Sequence, residues 1–117
     1  FKVVLSARVP EVIEANIAGD VDRFLADHGL DRGRIRHWVA HTGGPKVIEA
    51  FRAALGLPAT ALERSHRSLR EVGNLSSASV LFVLGDHLEG GEAGPGDFGL
   101  VAAMGPGFAT ELLLLAW

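Results

Sequence analysis

Two periodicities alternate along this chain, and their alternation limits what it can fold into. Ile35-Arg36-His37-Trp38-Val39-Ala40 is a short run rich in β-branched and aromatic residues, which predicts a strand. On either side, apolar residues recur at helical spacing: Ile13, Ile17, Val21, Phe24 and Leu25 before it, and Val47, Ile48, Phe51 and Leu55 after it. Glycine and proline mark the joints. Pro10 and Pro45 stand where a first helical turn tolerates the missing N–H, and Gly29 and Gly56 stand where a helix would end. Glu11 and Glu14 suit the positive end of the first helix.

The rest of the chain continues the alternation. Phe1 to Ser6 reads as a strand, and Ala61 to Glu71 as a more polar helix broken by Gly73-Asn74. Leu75 to Leu88 reads as a further helix, apolar almost all round and therefore expected to be buried. Leu88 to Asp97 is a Gly-rich surface loop. Phe98 to Met104 and Phe108 to Ala116 read as strands joined by Gly105-Pro106-Gly107, the Pro-then-Gly signature of a type II turn. The fold class is α/β, a mixed β-sheet with flanking helices and a C-terminal β-hairpin, within a single domain.

Composition narrows the function. The chain has 117 residues, 48% of them apolar, enough for one substantial core. Its net charge of −3 offers no basic surplus for nucleic acid or an anionic membrane. It contains no cysteine, which excludes a disulfide, a thiolate metal site and a cysteine nucleophile from these residues. No stretch reads as a signal peptide or a membrane span, so a soluble cytoplasmic protein is expected. Phe1 opens straight into a strand-like run and Trp117 ends an apolar one, which reads as the C-terminal piece of a longer chain.

His41 follows a strand and precedes Gly43-Gly44 and a helix starting at Pro45. Ligands of open α/β sheets gather at the carboxyl ends of strands, glycine admits close approach, and a helix start favours negative charge. A strand-end histidine bonded within a turn is the plainer reading. Asn74, between Gly73 and an apolar helix, suits an N-cap, as do Ser76 and Ser77, but a neutral amide donor there also suits an oxyanion site. Gly105-Pro106-Gly107 is a tight turn that can also shape a cavity wall. His28, His37, His66 and His87 have no partner at metal-ligand spacing and read as surface or packing residues, so no metal is expected. Lys46 and Arg64, Arg67 and Arg70 can meet an anion, but for the three arginines a solvated helix face is the preferred reading. Neither G-x-S-x-G nor a Walker-type loop is present.

Three motifs in order resemble one family. His41-Thr42-Gly43-Gly44-Pro45 resembles the catalytic-histidine motif of chalcone and stilbene synthases, the type III polyketide synthases. Gly73-Asn74-Leu75-Ser76-Ser77-Ala78 resembles their catalytic-asparagine motif, and Met104-Gly105-Pro106-Gly107-Phe108 their C-terminal Gly-Pro-Gly loop. The resemblance runs from Phe1 to Trp117 and implies the C-terminal half of a thiolase-like fold, with residues 1–117 as the C-terminal domain and the cysteine nucleophile in an N-terminal half not included here. It implies His41 and Asn74 as catalytic residues. Gly43, Gly44 and Lys46 would lie along the pantetheine arm of CoA, and Gly105, Pro106 and Gly107, with Ser76 as a weaker candidate, would line the polyketide cavity. The substrates implied are acyl-CoA and malonyl-CoA thioesters, joined by decarboxylative Claisen chemistry and then cyclised, with no further cofactor. The partners implied are the N-terminal half of the same chain and, when full length, a second copy in a homodimer.

Two departures bear on substrate. Thr42 stands where plant chalcone synthases usually have proline, and Met104 where they have phenylalanine before the Gly-Pro-Gly loop. The ending from Phe108 to Trp117 is nearest to bacterial alkylpyrone- or alkylresorcinol-forming synthases. The alternatives are a ketoacyl-carrier-protein synthase of the initiating type, whose histidine is usually followed by Gln-Ala-Asn, and a non-catalytic thiolase-fold dimerisation module.

Overall fold

The computed structural model describes residues 6–117, so the strand expected from Phe1 falls outside the described residues apart from Ser6, which belongs to no regular element. Helix α1 (Val9–Asp27) carries Pro10 in its first turn and buries Ile13, Ile17, Val21 and Leu25 along one stripe. Gly29 closes it at a φ of 69°, and the Leu30 N–H reaches back to the Leu25 carbonyl at 2.9 Å. Strand β1 (Ile35–Ala40) leads through a turn into α2 (Pro45–Leu55), which buries Ile48, Ala50, Phe51 and Leu55 and ends at Gly56 in the left-handed region.

Helix α3 spans Glu63–Val72, preceded by a 3-10 turn at Ala59–Leu62. Helix α4 spans Ser79–Glu89, preceded by a second 3-10 turn at Ser76–Ala78. Both begin later than apolar spacing alone suggests, because a 3-10 turn supplies the first bend of each. Strands β2 (Phe98–Gly105) and β3 (Ala109–Ala116) complete the chain. The sheet order is β1-β2-β3, with β1 parallel to β2 and β2 antiparallel to β3, a mixed sheet. At the hairpin turn Gly107 has φ 73° and ψ 12°, the third-position geometry of a type II turn.

The sheet carries helices on both sides. Trp38, Ala40, Leu100 and Ala102 belong to the core shared with α1 and α2, whereas Val39 and Val101 pack with Val80 and Val83 of α4. Successive strand residues face opposite sides, so this division follows from the pleat.

Three expectations change. Helix α4 is not buried all round: Leu81 is 64% exposed, Phe82 52% and Leu88 57%. Its apolar circumference exceeds what the sheet and α3 can cover. Arg64 and Arg67 are not a solvated face. They bridge α3 to α4 and to the loop after it, Arg64 to Asp86 at 3.1 Å and to Glu92 of that loop at 2.8 Å, and Arg67 to the same Asp86. The N-caps expected from Asn74, Ser76 and Ser77 are also absent: Ala78 precedes α4 without a side-chain cap, and Ser79 Oγ instead accepts the Leu75 N–H at 2.7 Å.

Candidate active site

The end of β1 is held on both sides. The His41 N–H donates to the Ala102 carbonyl of β2 at 3.0 Å, extending the parallel pairing by one residue. The Ala40 carbonyl, in the peptide that leads into His41, accepts the hydroxyl of Ser65 at 3.1 Å. Ser65 lies in the first turns of α3 and is fully buried. His41 itself is half-buried, and desolvation pushes its imidazole below the ordinary histidine range, which favours the neutral ring at neutral pH.

Gly43 lies against that ring. A Cβ there would stand 3.3 Å from His41 Cδ2, 3.4 Å from Nε2 and 3.2 Å from Val47 Cγ1. Gly44 has φ 137° and leads into α2, whose second residue, Lys46, is exposed. Thr42, between His41 and Gly43, is fully buried, and its hydroxyl has no hydrogen-bond partner among the described residues.

Asn74 is exposed and follows α3. Its Oδ1 accepts the Ser76 N–H at 2.9 Å, a local turn in which Ser76 adopts a φ of 58°. That bond uses the acceptor of the amide and leaves its two N–H donors for another group.

Topology sends these segments to one end of the sheet. β1 and β2 are parallel, so His41 and the Gly105–Gly107 turn both follow carboxyl ends of strands. Gly105 lies three residues beyond Ala102, roughly 10 Å along the strand. The direction of α4 places Asn74. Val80 and Val83 pack beside Val39, while His87, near the other end of α4, meets the earlier strand residue His37 with ring centroids 5.8 Å apart. Helix α4 thus runs antiparallel to β1, and the turn that opens it, with Asn74 and Ser76, lies toward the end that carries His41.

Cavities report a mixed outcome. One of about 180 Å³ sits between α1 and the hairpin, lined by Val12, Ile13, Asn16, Met104, Phe108 and Thr110 among others. It touches the flanks of the Gly105–Gly107 turn, not those three residues. A groove of about 400 Å³ between α3 and α4, past Arg67, Val72, Phe82 and Asp86, contains none of the expected site residues. Among the described residues no group of three or more His, Cys, Asp or Glu is placed to hold a metal ion, and no helix is long and apolar enough to cross a membrane. Sequence patterning missed Ser65 and named Thr42 only as part of the histidine motif. A serine on a polar helix reads as surface, and burial is the signal that separates it.

An α/β half with its candidate groups at the carboxyl ends of parallel strands is the arrangement of a thiolase-like half-domain. The family model for the C-terminal domain of chalcone and stilbene synthases matches residues 1–116, and the chain belongs to that family. Among curated relatives it is 50% identical over its whole length to the 1,3,6,8-tetrahydroxynaphthalene synthase of Streptomyces peucetius, covering 31% of that protein. It is 41% identical to a putative chalcone synthase of Bacillus subtilis, again over the whole chain and 32% of the relative. The chain therefore spans about a third of the length of these relatives. Among solved structures, the tetrahydroxynaphthalene synthase of Streptomyces coelicolor A3(2), a bacterial type III polyketide synthase, superimposes with a TM-score of 0.92 at 32% identity, over 100% of this chain and 33% of that one. The polyketide synthase PKS-I of the brown alga Ectocarpus siliculosus gives 0.90 at 34% identity, over 97% and 31%.

Proposed function

We propose that this chain is the C-terminal domain of a type III polyketide synthase that condenses an acyl-CoA starter with malonyl-CoA and cyclises the product. This reading is supported by His41 at the carboxyl end of β1 and by a direction of α4 that points the turn with Asn74 toward the same end, each residue able to present a neutral donor. A cysteine in the rest of the complete enzyme, beside His41, is the nucleophile that accepts the acyl group. His41 and Asn74 donate hydrogen bonds to the thioester oxygen of malonyl-CoA. Loss of CO2 leaves an enolate whose charge grows on that oxygen, and donors already in place stabilise the transition state more than the ground state. The carbanion attacks the acyl-cysteine carbonyl and releases the sulfur, lengthening the chain by two carbons.

Gly43, Gly44 and Lys46 line the approach of the pantetheine arm, where a residue without a side chain allows close passage. Gly105, Pro106, Gly107 and Ser76 belong to the wall of the product cavity. The exposed Leu81, Phe82 and Leu88 of α4 form the face on which the remainder of the polypeptide packs, and the complete enzyme works as a cytoplasmic homodimer with no cofactor beyond its CoA thioesters. The name of the Streptomyces peucetius relative favours a fused-ring polyhydroxynaphthalene product over the alkylpyrone or alkylresorcinol suggested by the chain's ending. Thr42-Gly43-Gly44-Pro45 and the Gly-Pro-Gly turn speak for CoA substrates against the initiating ketoacyl-carrier-protein synthases.

The test is malonyl-CoA decarboxylation by the complete enzyme. His41→Ala and Asn74→Ala should each lower kcat by roughly a hundredfold or more, the loss expected when one oxyanion donor is removed. Rates at the level of the unsubstituted enzyme would overturn the assignment. The 117 residues alone, lacking any cysteine, should form no polyketide.

A further inference from the structure

We propose that Ser65 is a positioning residue for His41, setting the imidazole through the peptide that carries it. The proposal rests on the catalytic reading of His41. Within a helix, a serine hydroxyl commonly bonds the carbonyl one turn back or points to water. Ser65 does neither. It is fully buried on α3, and its hydroxyl donates across to the Ala40 carbonyl of β1 at 3.1 Å. That carbonyl belongs to the peptide whose N–H is His41's own, and this N–H donates to Ala102 at 3.0 Å. The peptide before His41 is therefore held from both ends, by a helix at its oxygen and by β2 at its nitrogen.

The carbonyl needs this partner. Ala40 is the last residue of β1, which is paired to β2. Ala40 and Ser65 are both buried, which leaves no access to bulk water to satisfy the carbonyl if the serine is removed. The peptide can then rotate toward another donor, and rotation about it swings the His41 Cα–Cβ direction. Downstream the ring is bounded on one side by Gly43, where even a Cβ would stand 3.3 Å from its Cδ2, so a swing in that direction brings it toward the backbone. An oxyanion donor works only when aimed at the position the charge will occupy, so a small reorientation costs rate and leaves substrate binding nearly intact.

The experiment measures malonyl-CoA decarboxylation, kcat and KM separately, with the complete enzyme. Ser65→Ala should lower kcat roughly tenfold with KM within about twofold, and Ser65→Thr, which keeps the hydroxyl, should recover most of the rate. A thermal melt runs beside each assay. If Ser65→Ala does not fold, Ser65→Cys, similar in size with a weak donor, takes its place under the same expectation. Wild-type kcat in the hydroxyl-free variant, or a loss that tracks the melting temperature and is not recovered by threonine, overturns the positioning role. His41→Ala separates the two ideas: if it is inactive while Ser65→Ala is unaffected, the catalytic reading stands and the positioning role falls. If His41→Ala is fully active, the catalytic reading itself fails.

Discussion

The glycine after Thr42 is set by contact, not by backbone conformation. Gly43 has no positive φ, so alanine can follow the same backbone path. A methyl group there would nevertheless come within 3.2–3.4 Å of Val47 Cγ1 and the His41 ring, and one of them must give by a few tenths of an ångström. The half-buried ring moves more readily than Val47, which is packed against the core. Gly43→Ala in the complete enzyme should therefore fold normally and lose roughly tenfold or more in kcat for malonyl-CoA decarboxylation. Unchanged kcat, with a normal melting temperature, would show that the ring is not constrained from this side. The glycines and His41 were legible in the sequence because their order is itself a local signal. Ser65 was not, since a serine three residues from another serine on a charged helix reads as surface. Its burial depends on a strand that lies 25 residues earlier in the chain.

Elements show where sequence pattern stops. The six residues of β1 and the bounds of α2 follow from β-branched content, Pro45 and Gly56, all local to the chain. In α4 the pattern registered apolarity but not coverage. One side of this helix packs on Val39 and Val101, and its last turns bury His87 at 8% exposure. Desolvation pushes the His87 imidazole below the ordinary range, with the charge of Arg64 on α3 and His37 on β1 adding to the shift, while a backbone bond at Trp38 and the charge of Asp86 oppose it. Further out stand Glu92, paired to Arg64, and Asp97, bonded to His37 and near Arg36. The sign follows from proton counts. A histidine with a lowered folded value holds fewer protons in the native chain than in the unfolded one, whose value is about 6.5, so stability is full above that pH and falls as pH drops through it. His41 shifts the same way and contributes in the same direction. Urea midpoints at constant ionic strength should fall between pH 7.5 and 5, and His87→Gln should flatten part of that slope. An equal slope in the variant would place the effect on other groups.

At the scale of the molecule, one side of α4 is apolar and uncovered, in a chain that spans about a third of the proteins it matches. Leu81, Phe82 and Leu88 stand at 64, 52 and 57% exposure, with Val72 and Leu75 adding to the apolar surface near the start of the same helix. Contiguous apolar surface of this kind marks an interaction face in a stable protein, and water contact with it favours association. On the proposed reading, the rest of the polypeptide covers it. A charge at Phe82 then has opposite consequences in the two contexts. In the 117 residues alone Phe82→Lys places the ammonium in water, costs less than about 0.5 kcal/mol, and should raise the monomer fraction in sedimentation velocity. In the complete enzyme the same side chain is forced into an apolar contact without a partner charge, which should lower the melting temperature by several degrees. Circular dichroism melts of both forms, with and without the substitution, give the comparison. Similar small changes in both would mean that the face stays open to solvent in the complete enzyme, and the two-part packing on α4 would have to be abandoned.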